Sequence, residues 1–258
     1  MTVRRAFARF EHRLAARIKA SDVSEIATGL PESSIEQHLA SLPVLHPSGA
    51  VRRIQLPVSD VLEGCGGTPW WVMLSGIGRD CPVAADSWAQ AVPWVGRTAA
   101  GERGLGVTKS TLFASSPGAV VPAHIDVEHN VLLQIEGAKE VTLVPPGSAE
   151  DEIERCMSDT GRNLLELPSD AQTIRLGPGD GLYLPPFTPH WVLGLDGTSI
   201  AFSCAWSTGC SEDERLVRYW NAKQRRLGLQ PRTPDATRLA DRAKAAAVRL
   251  RSRLRARQ

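Results

Sequence analysis

Three residues carry the strongest chemical signal: His124 and Asp126, spaced as H-x-D within VPAHIDVEHN, and His190 within YLPPFTPHWV. In an extended strand alternate residues share a face, so His124 and Asp126 point to the same side. An imidazole and a carboxylate on one face supply two of the three ligands of a facial triad. His190 suits the third place, because it follows a Gly-Asp turn and a Pro-rich bend and then opens a strand. Two histidines and one carboxylate leave three cis positions on an octahedral Fe(II), room for a bidentate co-substrate and O₂. An isolated H-x-D pair carries little weight, since such pairs arise by chance beside surface or core histidines. The setting of His190 gives this one its weight. His12, His38 and His46 lack that support and are expected to lie outside the β core. His129 faces away from His124 by strand parity and reads as a structural or supporting residue.

Lys139 stands thirteen residues beyond Asp126, after the tight turn Glu136-Gly137-Ala138 and at the start of the next strand. The ordinary role of a lone lysine is a solvated charge. Here the hairpin returns its ammonium toward the metal pocket, and Asn130, Leu132 and Gln134 share the parity of His124 and Asp126. A cation at the closed end of such a pocket can pair with the distal carboxylate of a dicarboxylate co-substrate.

The elements that position these residues are short. Pro69 to Leu74 (PWWVML) is an apolar run of buried-strand length, and a helix is expected over Val83–Trp94. Strands are expected at 108–114, 130–135, 140–144, 173–176, 181–184, 190–195 and 199–206. Turn-forming clusters such as Pro145-Pro146-Gly147 and Gly177-Pro178-Gly179-Asp180 separate them, a pattern that describes a β sandwich or barrel. Upstream, the first twenty residues are Arg-rich with Val3, Phe7, Phe10, Leu14 and Ile18 on one helical stripe. They read as a surface helix, with an organelle presequence as the alternative. A second short helix is expected over Pro31–Leu42 and an edge strand over Val51–Val58. Downstream, Ser211 with Glu214 three residues on reads as a capping box, and a last helix is expected from about Asp235 towards Arg257. These readings divide the chain into N-terminal helices and an edge strand (1–68), a β core (69–210) and C-terminal helices with a basic tail (211–258).

Composition narrows the setting. From Lys223 onward there are twelve Lys/Arg against Asp235 and Asp241, so the net charge of +2 conceals an acidic body and a basic tail. No aromatic residues interleave with that charge, which argues against nucleic-acid binding. The weak stripe Leu239, Ala243, Ala246, Leu250 and Leu254 suits a solvated helix or a homodimer contact. Five cysteines without a C-x-x-C fit a reducing compartment, and no apolar run approaches the roughly 18 residues of a membrane span. A cytoplasmic protein without membrane association is expected.

The segment around the triad resembles the Jumonji C family of Fe(II)/2-oxoglutarate oxygenases. Its pattern is closest to the protein-hydroxylase branch that includes the asparaginyl hydroxylase of hypoxia signalling. That branch's P-A-H-x-D, Asn, Q-I-x-G-x-K and closing Pro-Pro are met by Pro122, Ala123, His124, Asp126, Asn130, Gln134, Ile135, Gly137, Lys139, Pro145 and Pro146. The resemblance implies a mainly β double-stranded β-helix, a cupin or jelly-roll barrel, flanked by N- and C-terminal helices. It implies iron ligands at His124, Asp126 and His190, and a lysine, Lys139, that pairs with the distal carboxylate of 2-oxoglutarate. Asn130 would lie beside that co-substrate, and Ser203 is the best match to a further pocket residue on the late strand. Val121 stands where the hypoxia-type enzymes carry a hydroxyl residue. The stretch Asp80-Cys81-Pro82 with Trp88 is similar to the family's entry segment. The activity implied is hydroxylation of a protein or peptide side chain, or of a small molecule, with release of succinate and CO₂. A cupin dioxygenase or isomerase that does not use 2-oxoglutarate, and a non-catalytic cupin binding module, are the alternatives.

Overall fold

The computed structural model describes residues 6–46, 52–78, 81–157, 162–235 and 239–255, with the side chains of 252–255 left aside. Among them, eleven strands form two antiparallel sheets. The larger runs β1 (Ala8–Glu11), β9 (Asp180–Leu184), β6 (His129–Glu136), β11 (Ser199–Thr208), β4 (Leu105–Ser115), β3 (Trp70–Ser75), β2 (Ile35–Leu39). The smaller runs β5 (Val120–Ile125), β10 (Pro189–Gly194), β7 (Lys139–Leu143), β8 (Gln172–Leu176). From β4 to β7, and again from β8 to β11, successive strands alternate between the sheets. That winding is the double-stranded β-helix, a jelly-roll barrel with flanking helices.

Period-two alternation gives the larger sheet two apolar faces. Leu132, Leu182, Leu184 and Ala201 turn inward and meet Val141, Leu143 and Leu176 of the smaller sheet. Val131, Leu133, Ile135, Phe202, Cys204 and Trp206 turn outward, where helices α1 (Ala20–Thr28), α2 (Val58–Glu63) and α3 (Pro82–Gly101) flank the shared core. The barrel is closed on its open side by the chain after β2: Ala40 accepts from Val120 N–H at 3.0 Å and Val44 from Ala123 N–H at 2.8 Å.

Several upstream expectations are overturned. Among the described residues 6–19 there is no helix; β1 pairs there with β9, Ala8 opposite Tyr183. Phe10 packs over Gly181, where a Cβ would come within 2.4 Å of the ring, so a partner distant in sequence overrides the helical stripe. Val3 lies outside the described residues. In place of a helix over Pro31–Leu42 there is one 3-10 turn, Glu32–Ser34, and then β2, whose Ile35–Leu39 pair with Leu74–Trp70. The expected edge strand over Val51–Val58 reduces to a single bridge between Arg53 and His38; Val58 already begins α2, and Val51 lies outside the described residues. His38 therefore sits in the larger sheet and His12 beside β1, not apart from the core.

α3 runs on to Gly101 through Pro93, seven residues beyond the expected end. A short helix, α4 (Glu150–Cys156), was not anticipated. Helix α5 (Gly209–Arg226) starts earlier than the Ser211 motif suggests. Thr208 is the N-cap: its hydroxyl accepts from Ser211 N–H at 3.1 Å, and Ser211 Oγ accepts from Thr208 N–H at 2.9 Å. Ser211 is thus the third helical residue, which frees Glu214 to bond Arg218. Helix α6 (Leu239–Arg255) buries Ala245 and Val248 against Leu216, Val217 and Trp220 of α5. Leu239 and Leu250 of the expected stripe are exposed, as are Ala243 and Ala246. No helix among the described residues is long and apolar enough to cross a membrane.

Candidate active site

His124 and His190 are direct partners across the β5–β10 pair, which puts two imidazoles side by side with ring centroids 4.2 Å apart. Asp126 follows at the end of β5. Both edges of β5 are fixed: β10 lies on one side, and on the other Val44, Arg162 and Leu164 bond to its backbone. The ligand atoms of His124, Asp126 and His190 all lie within 4.8 Å of one another, the one such group of three among the described residues.

The imidazoles are oriented for coordination. His124 Nδ1 lies 2.8 Å from the Pro122 carbonyl and His190 Nδ1 2.9 Å from the Thr188 carbonyl. A carbonyl only accepts, so Nδ1 carries a proton in both rings and Nε2 is the atom left to coordinate. His190 Nε2 stands 4.0 Å from Asp126 Oδ2. Burial and then the charge of His124 push His190 down to about 4, against the pull of Asp126 and the Thr188 carbonyl, so the ring is neutral at pH 7. Burial opposes the charge on Asp126, but His124, His190, Arg162 and Lys109 outweigh it and hold the carboxyl below its usual range. Two imidazoles and one carboxylate are the donor set of a non-haem Fe(II) centre, and these residues fit such an ion.

A cavity of about 240 Å³ opens from these three residues into the barrel. Asn130 and Lys139 line it among apolar side chains. The Lys139 side chain is buried, its ammonium meets no hydrogen-bond acceptor or carboxylate among the described residues, and burial pushes it down to about 8. Ser203 does not line the cavity; its hydroxyl donates to Asn130 Oδ1 at 2.8 Å and so braces a residue that does. Gln134, of the same parity, instead donates to the carbonyls of Glu136 and Gly137 at the turn before Lys139. His129 faces the other side of the sheet, bonded to Tyr183 at 2.9 Å and Glu102 at 3.0 Å. Trp88 is buried with its indole N–H on Ser110 Oγ, and Asp80 lies outside the described residues.

Sequence reading missed the far wall: Trp71, Met73, Phe113 and Ser115 also line the cavity. The run PWWVML betrays a strand, but either tryptophan could face inward until a neighbour fixes the parity. It also missed Phe187, whose backbone holds Asp126, and for that no local signal exists.

A jelly-roll barrel carrying two histidines and a carboxylate at the mouth of an inner cavity defines the class of cupin metalloproteins. Within it, residues 102–213 match the family model of the JmjC domain. Among solved structures the chain is similar to YcfD of Escherichia coli (18% identity, TM-score 0.52, 95% of this chain and 64% of that one). It is also similar to a structure described as YcfD, a ribosomal oxygenase from Escherichia coli (16%, TM-score 0.51, 95% and 62%). The same oxygenase in complex with cobalt and 2-oxoglutarate is a third (17%, TM-score 0.50, 95% and 62%). At such identities the likeness concerns the fold, and this chain spans less than two thirds of those proteins. No curated protein sequence matches it.

Proposed function

We propose that the protein is an Fe(II)- and 2-oxoglutarate-dependent oxygenase that hydroxylates a protein or peptide side chain, or a small molecule, with release of succinate and CO₂. The observation that carries this reading is the Lys139 ammonium, buried without a counter-charge in the cavity that opens from His124, Asp126 and His190. Burying a cation unpaired is costly, and a fold tolerates it where a ligand supplies the anion. A dicarboxylate whose one end reaches the metal and whose other end reaches Lys139 meets that need. The match to the JmjC family model supports the same reading, as does the cobalt and 2-oxoglutarate complex of the ribosomal oxygenase of similar fold. That neighbour's name favours a protein substrate over a small molecule.

His124, Asp126 and His190 would hold the iron, and Lys139 and Asn130, braced by Ser203, would position the co-substrate. When bound, iron would supply the activation of O₂ coupled to decarboxylation of 2-oxoglutarate. The chain itself supplies orientation and an apolar wall around the reacting centre, from Leu132, Leu184, Val141 and Val192. A cupin isomerase, or a dioxygenase without 2-oxoglutarate, has no use for the buried cation. Anaerobic calorimetric titration of 2-oxoglutarate into Fe(II)-loaded protein tests the reading, together with succinate formation in air. Absence of both would leave a metal cupin of another reaction.

A further inference from the structure

β4 is longer than the strand that covers one of its edges. On one side β11 pairs with it along its whole length, from Ser199 opposite Ser115 to Thr208 opposite Leu105. On the other side β3 pairs only with Thr111–Ser115. Among the described residues the last bond from that side runs from Gly76 N–H to the Ser110 carbonyl, at 3.0 Å. Residues 105–109 are exposed throughout, with Leu105 at 50% and Val107 at 62%.

Alternation decides which groups this leaves open. The Ser110 carbonyl faces the β3 side, so Thr108, two residues before it, turns its own N–H and C=O the same way. Val107 N–H points the other way, to Ser207 Oγ at 3.0 Å. β3 has ended at this level, and no turn or loop among the described residues bonds the Thr108 backbone. A strand edge in this state is a template on which another chain can pair.

The open edge lies at the metal end of the barrel. Phe113 and Ser115 of β4 line the cavity of His124, Asp126 and His190, and Lys109 shares their parity. Lys109 Nζ bonds Glu128 Oε1 at 2.7 Å, two residues beyond Asp126. Lys109 is opposite Ala205, and Ala205 is opposite Asn130, which lines the same cavity. β5, the strand of His124, meets the larger sheet on the side of β2 and β3, since Ala40 after β2 accepts from Val120. A chain laid along β4 past the end of β3 therefore crosses the barrel mouth beside the three candidate ligands.

We propose that the Leu105–Lys109 edge of β4 docks an extended segment of a substrate protein, which adds a strand to the larger sheet through the Thr108 N–H and C=O. This rests on the oxygenase reading and narrows it: the substrate is a polypeptide, extended at the modified residue, and not a small molecule. Main-chain pairing supplies affinity, and alternate side chains of the added strand turn towards the cavity, where specificity is set.

The edge is tested first without a ligand. Hydrogen exchange on the Zn(II)-loaded protein, followed by ¹⁵N–¹H spectra, should show a fast Thr108 amide between slow amides at Lys109 and Val107. The probe for docking is a pool of capped random decapeptides, offered to the Fe(II) and 2-oxoglutarate form and read by the mass of one added oxygen. A peptide so identified should protect the Thr108 amide when added to the Zn(II) form. Thr108→Pro deletes the open N–H without breaking a bond of the barrel and should lower kcat/KM for that peptide about tenfold, with Zn(II) affinity unchanged. Methylation of the pairing backbone nitrogen of the peptide should cost the wild type as much. A slow Thr108 amide in the free protein, or a modified peptide that leaves this amide unprotected, would overturn the proposal. So would addition of oxygen to no peptide by a protein that binds 2-oxoglutarate, an outcome that leaves the oxygenase reading standing for a small molecule. Failure to bind 2-oxoglutarate would remove both. Should Thr108→Pro lose Zn(II), the wild-type exchange rates and the methylated peptide decide.

Discussion

Phe187 is tied to Asp126 by its backbone: its N–H donates to the Asp126 carbonyl at 2.7 Å, from a left-handed conformation with φ of +61°. For a bulky residue that conformation costs about 1–2 kcal/mol, so something must hold it. The Arg218 guanidinium lies over the Phe187 ring, 4.8 Å from its centroid. Arg218 is 3% exposed and bonds Glu150 at 3.0 Å and Glu214 at 2.7 Å. Helix α5, outside the barrel, thereby reaches a candidate metal ligand through two residues.

Arg218→Ala should therefore do more than a surface change. It removes the guanidinium that bonds both Glu150 and Glu214 and releases the Phe187 ring. Removing one partner of a buried ion pair typically costs about 3–5 kcal/mol, against about 0–1 kcal/mol for a solvent-accessible pair such as the half-buried Arg215–Glu212. Urea denaturation of Arg218→Ala and Arg215→Ala measures the contrast, and Fe(II) titration should show weaker binding in the first alone. Matching behaviour of the two variants would mean that α5 does not support the site.

The metal assignment predicts loss of function without loss of fold. His124→Ala, Asp126→Ala and His190→Ala each delete one of three donors, so stoichiometric Fe(II) binding should vanish while the circular dichroism spectrum stays that of wild type. His190 is already neutral at pH 7, so no proton need leave it when the metal binds. Full iron occupancy in Asp126→Ala would sink the assignment.

What could be read in the sequence divides by the distance of the interactions involved. The gathering of His124, Asp126 and Lys139 at one cavity follows from strand parity and one tight hairpin, both local. β1 and β2 were hidden because their pairing is not local: Ala8 meets Tyr183, and Ile35 meets Leu74, while the local pattern favoured helices. Trp71 was hidden for a subtler reason. In a run of two tryptophans the inward one is chosen by its neighbour strands, and here Ser115 and His38 make the choice. The start of α5 moved because Thr208, still paired in β11, offers a hydroxyl at the cap position, a competition no window centred on Ser211 contains.

Lys139 should make the ligand-free protein less stable at neutral pH. Its ordinary value is 10.5 and burial lowers it to about 8 in the folded chain. Between these values the unfolded chain binds more protons, so stability rises as pH climbs from about 8 to about 10.5, and below about 8 the full penalty is felt. Two and a half units correspond to roughly 3 kcal/mol, an upper figure for a pocket that water can enter. Lys139→Met, of similar length and without charge, should be more stable than wild type at pH 7 by up to that amount and should lack the alkaline rise. Denaturant midpoints at pH 7 and pH 10 compare the two. A variant less stable than wild type at pH 7 would show that the ammonium already has a partner.

The same lysine sets the pH dependence of co-substrate binding. In the free pocket its proton is lost near pH 8. In the complex the distal carboxylate favours the ammonium, so binding above that pH must first take up a proton. The apparent affinity for 2-oxoglutarate should be level below about pH 7.5 and then fall about tenfold per unit above about pH 8. Calorimetry at pH 8.5 in two buffers of different ionisation heat should register this uptake as a difference in observed enthalpy. Lys139→Arg separates the lysine from every other titrating group, the metal's own water included. A guanidinium stays charged throughout, so the variant should bind more weakly, because its planar fork is shaped differently, yet lose the alkaline fall. An alkaline fall of equal slope in wild type and Lys139→Arg would place the titrating group at the metal and not at Lys139.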